Sequence, residues 1–130
     1  MSSPDPAGII QSPPALLLVD DDDDLAHVVS RALERRGFQV HRARTGNEAL
    51  ASLPNLQRLD GAVVDLVLPG AGGLEVVRAI RRTFPNCRIV AMTGLAEPVM
   101  EQAFRDAGAD AFLGKPVELQ QLYESLRTGH

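Results

Sequence analysis

The sequence predicts an α/β fold in which five β-α units form one domain around a parallel sheet. Short apolar segments typical of strands alternate along the chain with longer segments that place apolar residues at helical spacing. Glycine and proline residues separate many of these segments, and 130 residues suit one domain of ordinary size. Strands that alternate with helices of about ten or more residues favour a parallel sheet with helices on both faces and right-handed crossovers. Periodicity alone leaves the order of the strands open.

The first β-α unit is predicted over residues 15–36. Residues 15–19 form a short apolar run that is typical of a buried strand. The apolar residues that predict the inner face of the first helix are Leu25, Val28, Val29, Ala32 and Leu33. Gly37 suits the position just after a helix C-terminus, so we expect the helix to cover residues 22–36.

The second and third units follow the same pattern. Residues 38–41 alternate like a strand, and the Thr45 side chain is a suitable N-cap for the second helix. Residues 61–65 predict the third strand, and Pro85 ends the helix that comes after it. The apolar residues that predict the inner faces of these helices are Ala49, Leu50 and Leu53 in the second and Leu74, Val77, Ala79, Ile80 and Phe84 in the third.

The last two units complete the domain. Residues 88–92 predict the fourth strand, and Pro98 suits the first turn of a helix that ends near Gly108. Residues 111–113 predict a short fifth strand before a closing helix. The apolar residues that predict the inner faces of these helices are Met100, Ala103, Phe104 and Ala107 in the fourth and Val117, Leu119, Leu122 and Leu126 in the fifth.

Composition excludes several classes of function. The formal net charge is −4, and the basic residues are spread thinly, which argues against direct binding of nucleic acid. Cys87 is the only cysteine, so we expect no internal disulfide and a cytoplasmic location. The first residues have neither the basic nor the apolar region of a secretory signal, so we expect no export by such a signal, and no run approaches the roughly 18 apolar residues of a membrane span. Residues 1–14, rich in proline and serine, predict a flexible N-terminal tail, and residues 128–130 a short C-terminal one.

Carboxylates follow two of the predicted strands. Asp65 closes the third strand, and Asp20 and Asp21 come directly after the first. Ligands collect at the carboxyl edge of parallel sheets, so these three side chains meet in one crevice if the first and third strands are neighbours. Carboxylates a few ångströms apart repel one another unless a cation neutralises them. Oxygen ligands favour a hard divalent ion, so we predict a site for Mg²⁺.

The rest of the acidic run has a simpler interpretation. Residues 22–24 continue the run into the start of the predicted first helix. Carboxylates at a helix N-terminus cap free N–H groups and are favoured by the helix dipole. We therefore interpret these three aspartates as solvated residues of the helix N-terminus and not as cation ligands.

Two further polar residues follow the remaining strands. Thr93 stands before Gly94 at the end of the fourth strand, and Lys115 stands before Pro116 after the fifth. A lysine directed into an acidic crevice supplies a point charge that can hold a phosphoryl oxygen, and a threonine adds a hydroxyl donor. Together with the three acids, these residues predict a site for a phosphoryl group.

Four segments resemble the receiver domains of bacterial two-component response regulators. They read Leu-Leu-Val-Asp-Asp-Asp at 17–22, Val-Asp-Leu-Val-Leu-Pro at 64–69, Val-Ala-Met-Thr-Gly at 90–94 and Gly-Ala-Asp-Ala-Phe-Leu-Gly-Lys-Pro at 108–116. Each segment alone is a common string, whereas the ordered set at these spacings is specific to the family. The resemblance covers residues 15–127, which we expect to form the receiver domain.

The resemblance implies a flavodoxin-like doubly wound fold, with the strands in the order 2-1-3-4-5. It implies that Asp65 accepts a phosphoryl group and that Lys115 contacts this group. It also implies that Mg²⁺ is bound by Asp20, Asp21 and Asp65 and by the backbone carbonyl of Val67. Within this set we expect Asp21 to bind the cation directly and Asp20 to act mainly through water or through its charge.

A conformational switch is implied at Thr93 and Phe112. In the family the threonine hydroxyl moves to the phosphoryl oxygen and the aromatic ring turns inward. Phe112 also fits a second interpretation, as an ordinary core residue of a short strand. The resemblance places Val67 and Leu95 beside the water that hydrolyses the acyl phosphate, and their apolar side chains predict slow dephosphorylation.

The resemblance also implies the partners. We expect a histidine kinase or a histidine phosphotransfer protein as the phosphoryl donor. A downstream protein or an output domain would bind the face formed by the fourth helix, fifth strand and fifth helix, and dimerisation on phosphorylation is compatible with this arrangement. Such a domain assists only its own phosphorylation and dephosphorylation, so we do not expect an enzyme that turns over an external substrate.

Three other functions fit the sequence less well than a receiver does. A Mg²⁺-dependent phosphohydrolase with an aspartyl nucleophile typically has a second acid two residues after the nucleophile, where this chain has Val67. An interaction module that works without phosphorylation would lack one of the five polar site residues, and none is missing. A flavin-binding protein of the same fold needs a phosphate loop rich in Ser, Thr or Gly after Val19, where this chain has aspartates.

Overall fold

The computed structural model describes residues 13–68, 72–94 and 98–127. Apart from Pro13 and Pro14, the expected tails at residues 1–14 and 128–130 lie outside these ranges. Leu95 also lies outside the described residues, so its expected place beside the phosphorylation site stays a prediction.

One parallel sheet of five strands forms the centre of the described chain, in the order β2-β1-β3-β4-β5. The strands are β1 Ala15–Val19, β2 Gln39–Ala43, β3 Gly61–Asp65, β4 Arg88–Thr93 and β5 Ala111–Gly114. The α-helices are α1 Asp23–Arg35, α2 Gly46–Ser52, α3 Gly73–Thr83, α4 Pro98–Ala107 and α5 Leu119–Arg127. None of the helices in the described ranges has the length and apolar character needed to cross a bilayer. The strand order confirms the predicted flavodoxin-like α/β fold.

Helices cover both faces of the sheet, and this explains the apolar runs of its central strands. Every residue of β1 and β3 is buried. Because side chains alternate along a strand, Leu16 and Leu18 pack with α1 and α5 on one face. Leu17 and Val19 pack on the other face with residues of α2, α3 and α4. Polar side chains that belong to the central strands β1 and β3 therefore have to lie at the strand ends.

The helices that flank β2 begin with side-chain caps. At the start of α1, the Asp22 carboxylate accepts a hydrogen bond from the N–H of Leu25. At the start of α2, the Thr45 hydroxyl accepts from the N–H of Glu48, whose carboxylate accepts in turn from the N–H of Arg44. The second arrangement is a capping box displaced by one residue. The predicted N-cap at Thr45 is confirmed. Asp22 has the capping role that was expected for the aspartates at residues 22–24.

The buried faces of the helices differ from the prediction at a few positions. Val28 of α1 is 52% exposed, and Ala26 is buried instead. Met100 of α4 and Leu119 of α5 are each 37% exposed. Successive helix residues lie about 100° apart around the axis, so Val28 points away from the sheet that its neighbour Val29 contacts. When two adjacent helix residues are both apolar, as Val28 and Val29 are, the sequence pattern does not show which of them faces the core.

Candidate functional site

The ends of four strands bring the predicted polar residues to one edge of the sheet. Asp20 follows β1, Asp65 ends β3, Thr93 ends β4 and Lys115 follows β5. Parallel strands present their carboxyl ends at the same edge, which is why residues so far apart in sequence meet here. One carboxylate oxygen from each of Asp20, Asp21 and Asp65 lies within 4.8 Å of the other two. The three acids therefore form one cluster.

The Asp65 carboxylate is held by a donor on each oxygen. Nζ of Lys115 donates to Oδ2 at 2.7 Å, and the backbone N–H of Val67 donates to Oδ1 at 3.0 Å. The residue itself is only 4% exposed. Hydrogen bonds from a charged donor are the strong ones in proteins, so they fix the orientation of this carboxylate.

The Asp20 carboxylate is completely buried and only half satisfied. Its Oδ1 accepts a hydrogen bond from the N–H of Asp22, whereas its Oδ2 accepts none from the described residues. The nearby Lys115 Nζ lies 4.0 Å from Oδ2, beyond hydrogen-bond distance. Burial raises the pKa of Asp20, against the hydrogen bond from Asp22 and the charge of Lys115. A buried carboxylate oxygen without a donor, beside two more carboxylates, fits a hard divalent cation.

Lys115 is the cationic partner of this cluster. Burial alone would lower the pKa of Lys115, but the hydrogen bond to Asp65 and the negative charges of Asp65 and Asp20 raise it above the ordinary value. Its backbone N–H donates to the carbonyl of Thr93 at 2.6 Å, and the Lys115–Pro116 peptide bond is cis. The lysine is thus a charged group tied to both β4 and Asp65.

The acidic run divides into residues of two kinds. Asp21 is exposed but reaches the cluster with Asp20 and Asp65. Asp22 caps α1, and the Asp23 carboxylate binds the guanidinium groups of two arginines of the β2 edge. Hydrogen bonding by Arg42, together with the charges of both arginines, lowers the pKa of Asp23.

The two residues predicted to form the switch lie on neighbouring strands. Thr93 is buried, 2% exposed, at the end of β4. Phe112 of β5 is partly buried and packs against the core on the side of α3 and α4. Its ring centroid lies 6.4 Å from that of Phe104, with the two ring planes at 53°. The ring in this conformation therefore contributes to the core, as the second interpretation of Phe112 expected.

Val67 and Gly73 flank the connection between β3 and α3 and have opposite environments. The Val67 side chain is 70% exposed at the edge of the cluster. At Gly73, the first residue of α3, an added Cβ would lie 3.0 Å from the Asp65 carbonyl oxygen and 3.2 Å from the Phe104 ring. A side chain at this position would therefore push on the backbone at the end of β3, which the glycine avoids.

Arg42 contacts the site, although nothing in the sequence pattern indicates this. Its guanidinium donates to the backbone carbonyl of Asp20 at 2.8 Å and binds the Asp23 carboxylate at 2.8 Å. The signal available was weak, because an arginine near the end of an edge strand is usually a solvated surface residue. The contact to Asp20 depends on which strand pairs with β1.

The family model of the response regulator receiver domain matches residues 16–127. The chain belongs to this family. The receiver domain is similar to the response regulator MprA of Mycobacterium sp. (strain KMS), at 37% identity over 97 residues, which cover 75% of this chain and 42% of the relative. The matches to curated relatives span from 10% to 53% of the relatives' own length.

Solved structures of receivers have the same fold. A CheY-like receiver domain protein from Methanospirillum hungatei JF-1 is similar with a TM-score of 0.83 and 31% identity, covering 89% of this chain and 92% of that one. A response regulator from Burkholderia pseudomallei, crystallised with a phosphorylated aspartic acid, a calcium ion and citrate, is similar with a TM-score of 0.82 and 30% identity. That match covers 88% of this chain and 67% of the other. The acid cluster of this receiver domain thus lies in a fold that holds a phosphorylated aspartic acid in a relative.

Proposed function

We propose that this receiver domain accepts a phosphoryl group on Asp65 in a Mg²⁺-dependent reaction and thereby changes its affinity for a partner. The observation that carries the proposal is the environment of the Asp65 carboxylate. It is buried at a strand end, accepts a hydrogen bond from Lys115, and lies in a cluster with the carboxylates of Asp20 and Asp21. Phosphoryl transfer requires mainly positioning and charge stabilisation, and these residues are suited to supply both.

The chain's own residues would act on the incoming phosphoryl group as follows. A carboxylate oxygen of Asp65 forms the new bond to phosphorus while the bond from phosphorus to the histidine nitrogen of the donor breaks. The donor imidazole keeps that electron pair and takes a proton from solvent. The Lys115 ammonium, now on Oδ2 of Asp65, is near enough to hold a phosphoryl oxygen after transfer. The Val67 N–H keeps the other carboxylate oxygen in place.

Mg²⁺ would be held by the carboxylates of Asp20, Asp21 and Asp65 and by the backbone carbonyl of Val67. When bound, the ion supplies positive charge that offsets the repulsion between the acids and the phosphoryl oxygens. The donor set fits, because it consists only of oxygen atoms and includes the buried Asp20 Oδ2 that lacks a hydrogen bond. The Burkholderia regulator was crystallised with a calcium ion as well as a phosphorylated aspartic acid, which supports the proposal that a receiver of this fold binds a divalent cation.

The output surface would be the face formed by α4, β5 and α5. Phosphorylation would draw the Thr93 hydroxyl toward the phosphoryl group and turn the Phe112 ring further inward, which reshapes this face. Two large apolar side chains of α4, Val99 and Met100, are exposed. Exposed apolar groups of this kind suit a protein partner, an output domain or a second phosphorylated copy of the chain.

The phosphoryl donor would be a histidine kinase or a histidine phosphotransfer protein. We propose residues 15–127 as the limits of the receiver and the cytoplasm as its location. The domain would assist only its own phosphorylation and dephosphorylation, without turnover of an external substrate.

Intact mass spectrometry tests the proposal directly. Incubation with a small acyl phosphate and Mg²⁺ should add one phosphoryl group to the wild-type chain, and chelation of Mg²⁺ should prevent the addition. Asp65→Asn should abolish labelling, whereas Asp23→Asn should be labelled like the wild type because Asp23 faces two arginines outside the cluster. Labelling that persists in Asp65→Asn would show that the acceptor is another residue.

A further inference from the structure

Arg42 joins both ends of the acidic loop to the edge strand of the sheet. It lies on β2, and its guanidinium donates through Nη2 to the backbone carbonyl of Asp20 at 2.8 Å. Through Nη1 it lies 2.8 Å from Oδ1 of Asp23. The side chain is 26% exposed, so it packs over the loop instead of extending into solvent. One side chain therefore holds the start and the end of residues 20–23.

The contact with Asp20 continues the pairing of β1 and β2 beyond the last residue of β1. The register ends where Val19 faces Ala43, and the N–H of Asp20 donates to the carbonyl of Ala43 at 3.1 Å. Arg42 then supplies the donor for the Asp20 carbonyl. The peptide groups on both sides of the Asp20 Cα are thus hydrogen-bonded to residues of β2. These bonds fix the position of the Cα from which the buried carboxylate extends.

Arg44 offers a natural comparison, because it shares only part of these contacts. Its Nη1 lies 2.9 Å from the same Oδ1 of Asp23, and its side chain is 56% exposed. Among the hydrogen bonds of the described residues, the one from an arginine to Asp20 comes from Arg42. Both arginines place a positive charge near the acids, but only Arg42 also holds the backbone of the loop.

We propose that Arg42 is a positioning residue of the cation site, which fixes Asp20 in the orientation that binds a divalent ion. This inference rests on the proposed function, since it assumes that Mg²⁺ binds at Asp20, Asp21 and Asp65. The charge of Arg42 and its hydrogen bond to the loop have opposite effects on the affinity for Mg²⁺. A nearby guanidinium repels the cation, whereas an ordered Asp20 favours binding. The net effect of removing Arg42 therefore shows which of the two dominates.

The test compares Arg42→Gln with Arg44→Gln by titrating each metal-free variant with Mg²⁺ and following amide chemical shifts. Removal of Arg44 takes away one repulsive charge, so the affinity should rise by about twofold at low salt and return to the wild-type value at high salt. Removal of Arg42 takes away the same charge but also the support of Asp20. Mutation of residues that orient metal ligands typically weakens metal affinity by about 10- to 100-fold, so Arg42→Gln should weaken binding by about tenfold at high salt. At low salt the loss should be about fivefold, because the removed repulsion offsets part of it.

Amide hydrogen exchange without metal gives a second, independent reading. Exchange at residues 20–22 should be faster in Arg42→Gln and unchanged in Arg44→Gln. Arg42→Lys should fall between the wild type and Arg42→Gln, because an ammonium cannot bond two acceptors with the geometry of a guanidinium. If Arg42→Gln does not fold, Arg42→Lys takes its place in both measurements.

Two results would overturn the proposal. One is a gain in Mg²⁺ affinity in Arg42→Gln that disappears with salt, as in Arg44→Gln, because Arg42 would then act through its charge alone. The other is wild-type hydrogen exchange at residues 20–22 in the Arg42 variants. A wild-type protein that fails to bind Mg²⁺ would contradict the proposed function instead, and the exchange comparison would still decide whether Arg42 holds the loop.

Discussion

Lys115 donates a 2.7 Å hydrogen bond from Nζ to Oδ2 of Asp65, and this pair forms the centre of the receiver site. The same ammonium group lies 4.0 Å from Oδ2 of Asp20. The Lys115 ammonium thus lies near two buried carboxylates but is hydrogen-bonded only to that of Asp65. The imbalance explains why the cluster can take a further positive charge.

The ionisation of Lys115 should report on Asp65. Lys115 is the only lysine of the chain, so reductive methylation with ¹³C labels this side chain and the N-terminal amine alone. Its pKa should lie above the ordinary 10.5 in the wild type and should fall in Asp65→Asn, because burial lowers it once the Asp65 hydrogen bond and charge are removed. An NMR pH titration measures both values, with the N-terminal amine as internal control. Identical titration of Lys115 in the two proteins would contradict the assigned contact.

This raised pKa also has a consequence for stability in alkali. A cation whose pKa is higher in the folded state contributes fully to stability below its unfolded pKa and loses that contribution as the pH rises through the folded value. The stabilising effect of Lys115 should therefore be complete below about pH 10 and decline above its ordinary pKa of 10.5.

Asp21→Ala should weaken Mg²⁺ binding by tenfold or more, because Asp21 is the exposed acid of the cluster and is expected to bind the ion directly. Tenfold corresponds to about 1.4 kcal/mol. Asp23→Ala is the matched control, since Asp23 is two residues away but its carboxylate faces Arg42 and Arg44. Isothermal titration measures both affinities. An Asp21→Ala affinity equal to that of the wild type would show that the ion is held elsewhere.

Asp20→Asn should stabilise the metal-free fold at neutral pH by roughly 1 kcal/mol, at the expense of the cation site. Burial raises the pKa of Asp20, so the folded state favours the protonated form, and the wild type loses stability as the pH rises from the unfolded value of 3.8 through the folded one. The asparagine has no such loss. Its advantage should shrink on acidification and reverse when Mg²⁺ stabilises the wild type. Urea unfolding with and without Mg²⁺ measures the difference, and a less stable asparagine variant in metal-free buffer at pH 7 would refute the interpretation.

Thr93→Ala should uncouple phosphorylation from the output face. A ligand shifts a conformational equilibrium only through contacts that differ between the two states, and the hydrogen bond from Thr93 to the phosphoryl group would be such a contact. The variant should still be phosphorylated but show smaller amide-shift changes in α4, β5 and α5. Thr83→Ala, whose hydroxyl donates only to the carbonyl of Ala79 among the described contacts, is the matched control. The full set of shift changes in Thr93→Ala would place the coupling elsewhere.

Phosphorylated Asp65 should be long-lived, because the residues beside the expected path of the attacking water are apolar. The Val67 side chain is 70% exposed at the edge of the cluster. Loss of one water-orienting hydrogen bond of about 1 kcal/mol slows hydrolysis about fivefold, and steric exclusion adds to this. Val67→Asn combined with Leu95→Glu should therefore accelerate the release of inorganic phosphate several-fold, with Val67→Asn alone giving part of the effect. Equal rates in the wild type and the double variant would mean that these side chains do not control access of water.

The sequence by itself determined the fold class and the identity of the polar strand ends. Apolar runs such as residues 15–19 and 61–65 indicate strands that are buried on both faces, because any polar side chain in such a run would lose its hydration. A carboxylate that follows such a run must then lie at the sheet edge. Helix faces were less well determined, since the pattern around Val28 and Val29 fits two rotations of α1, and only packing against the sheet selects one.

Periodicity leaves the neighbours of β1 open, and the strand order was expected only because of the resemblance to receivers. The tertiary structure decided the individual contacts between distant segments. With β1 between β2 and β3, Arg42 contacts the carbonyl of Asp20, 22 residues away in sequence. Lys115 contacts the carboxylate of Asp65, 50 residues away. The apolar periodicity that indicates a helix or a strand depends only on the residues of that segment, so the sequence of the segment is enough to predict it. The distance between two strand ends depends on which strands pair and in which register, and that is set by the packing of the whole core.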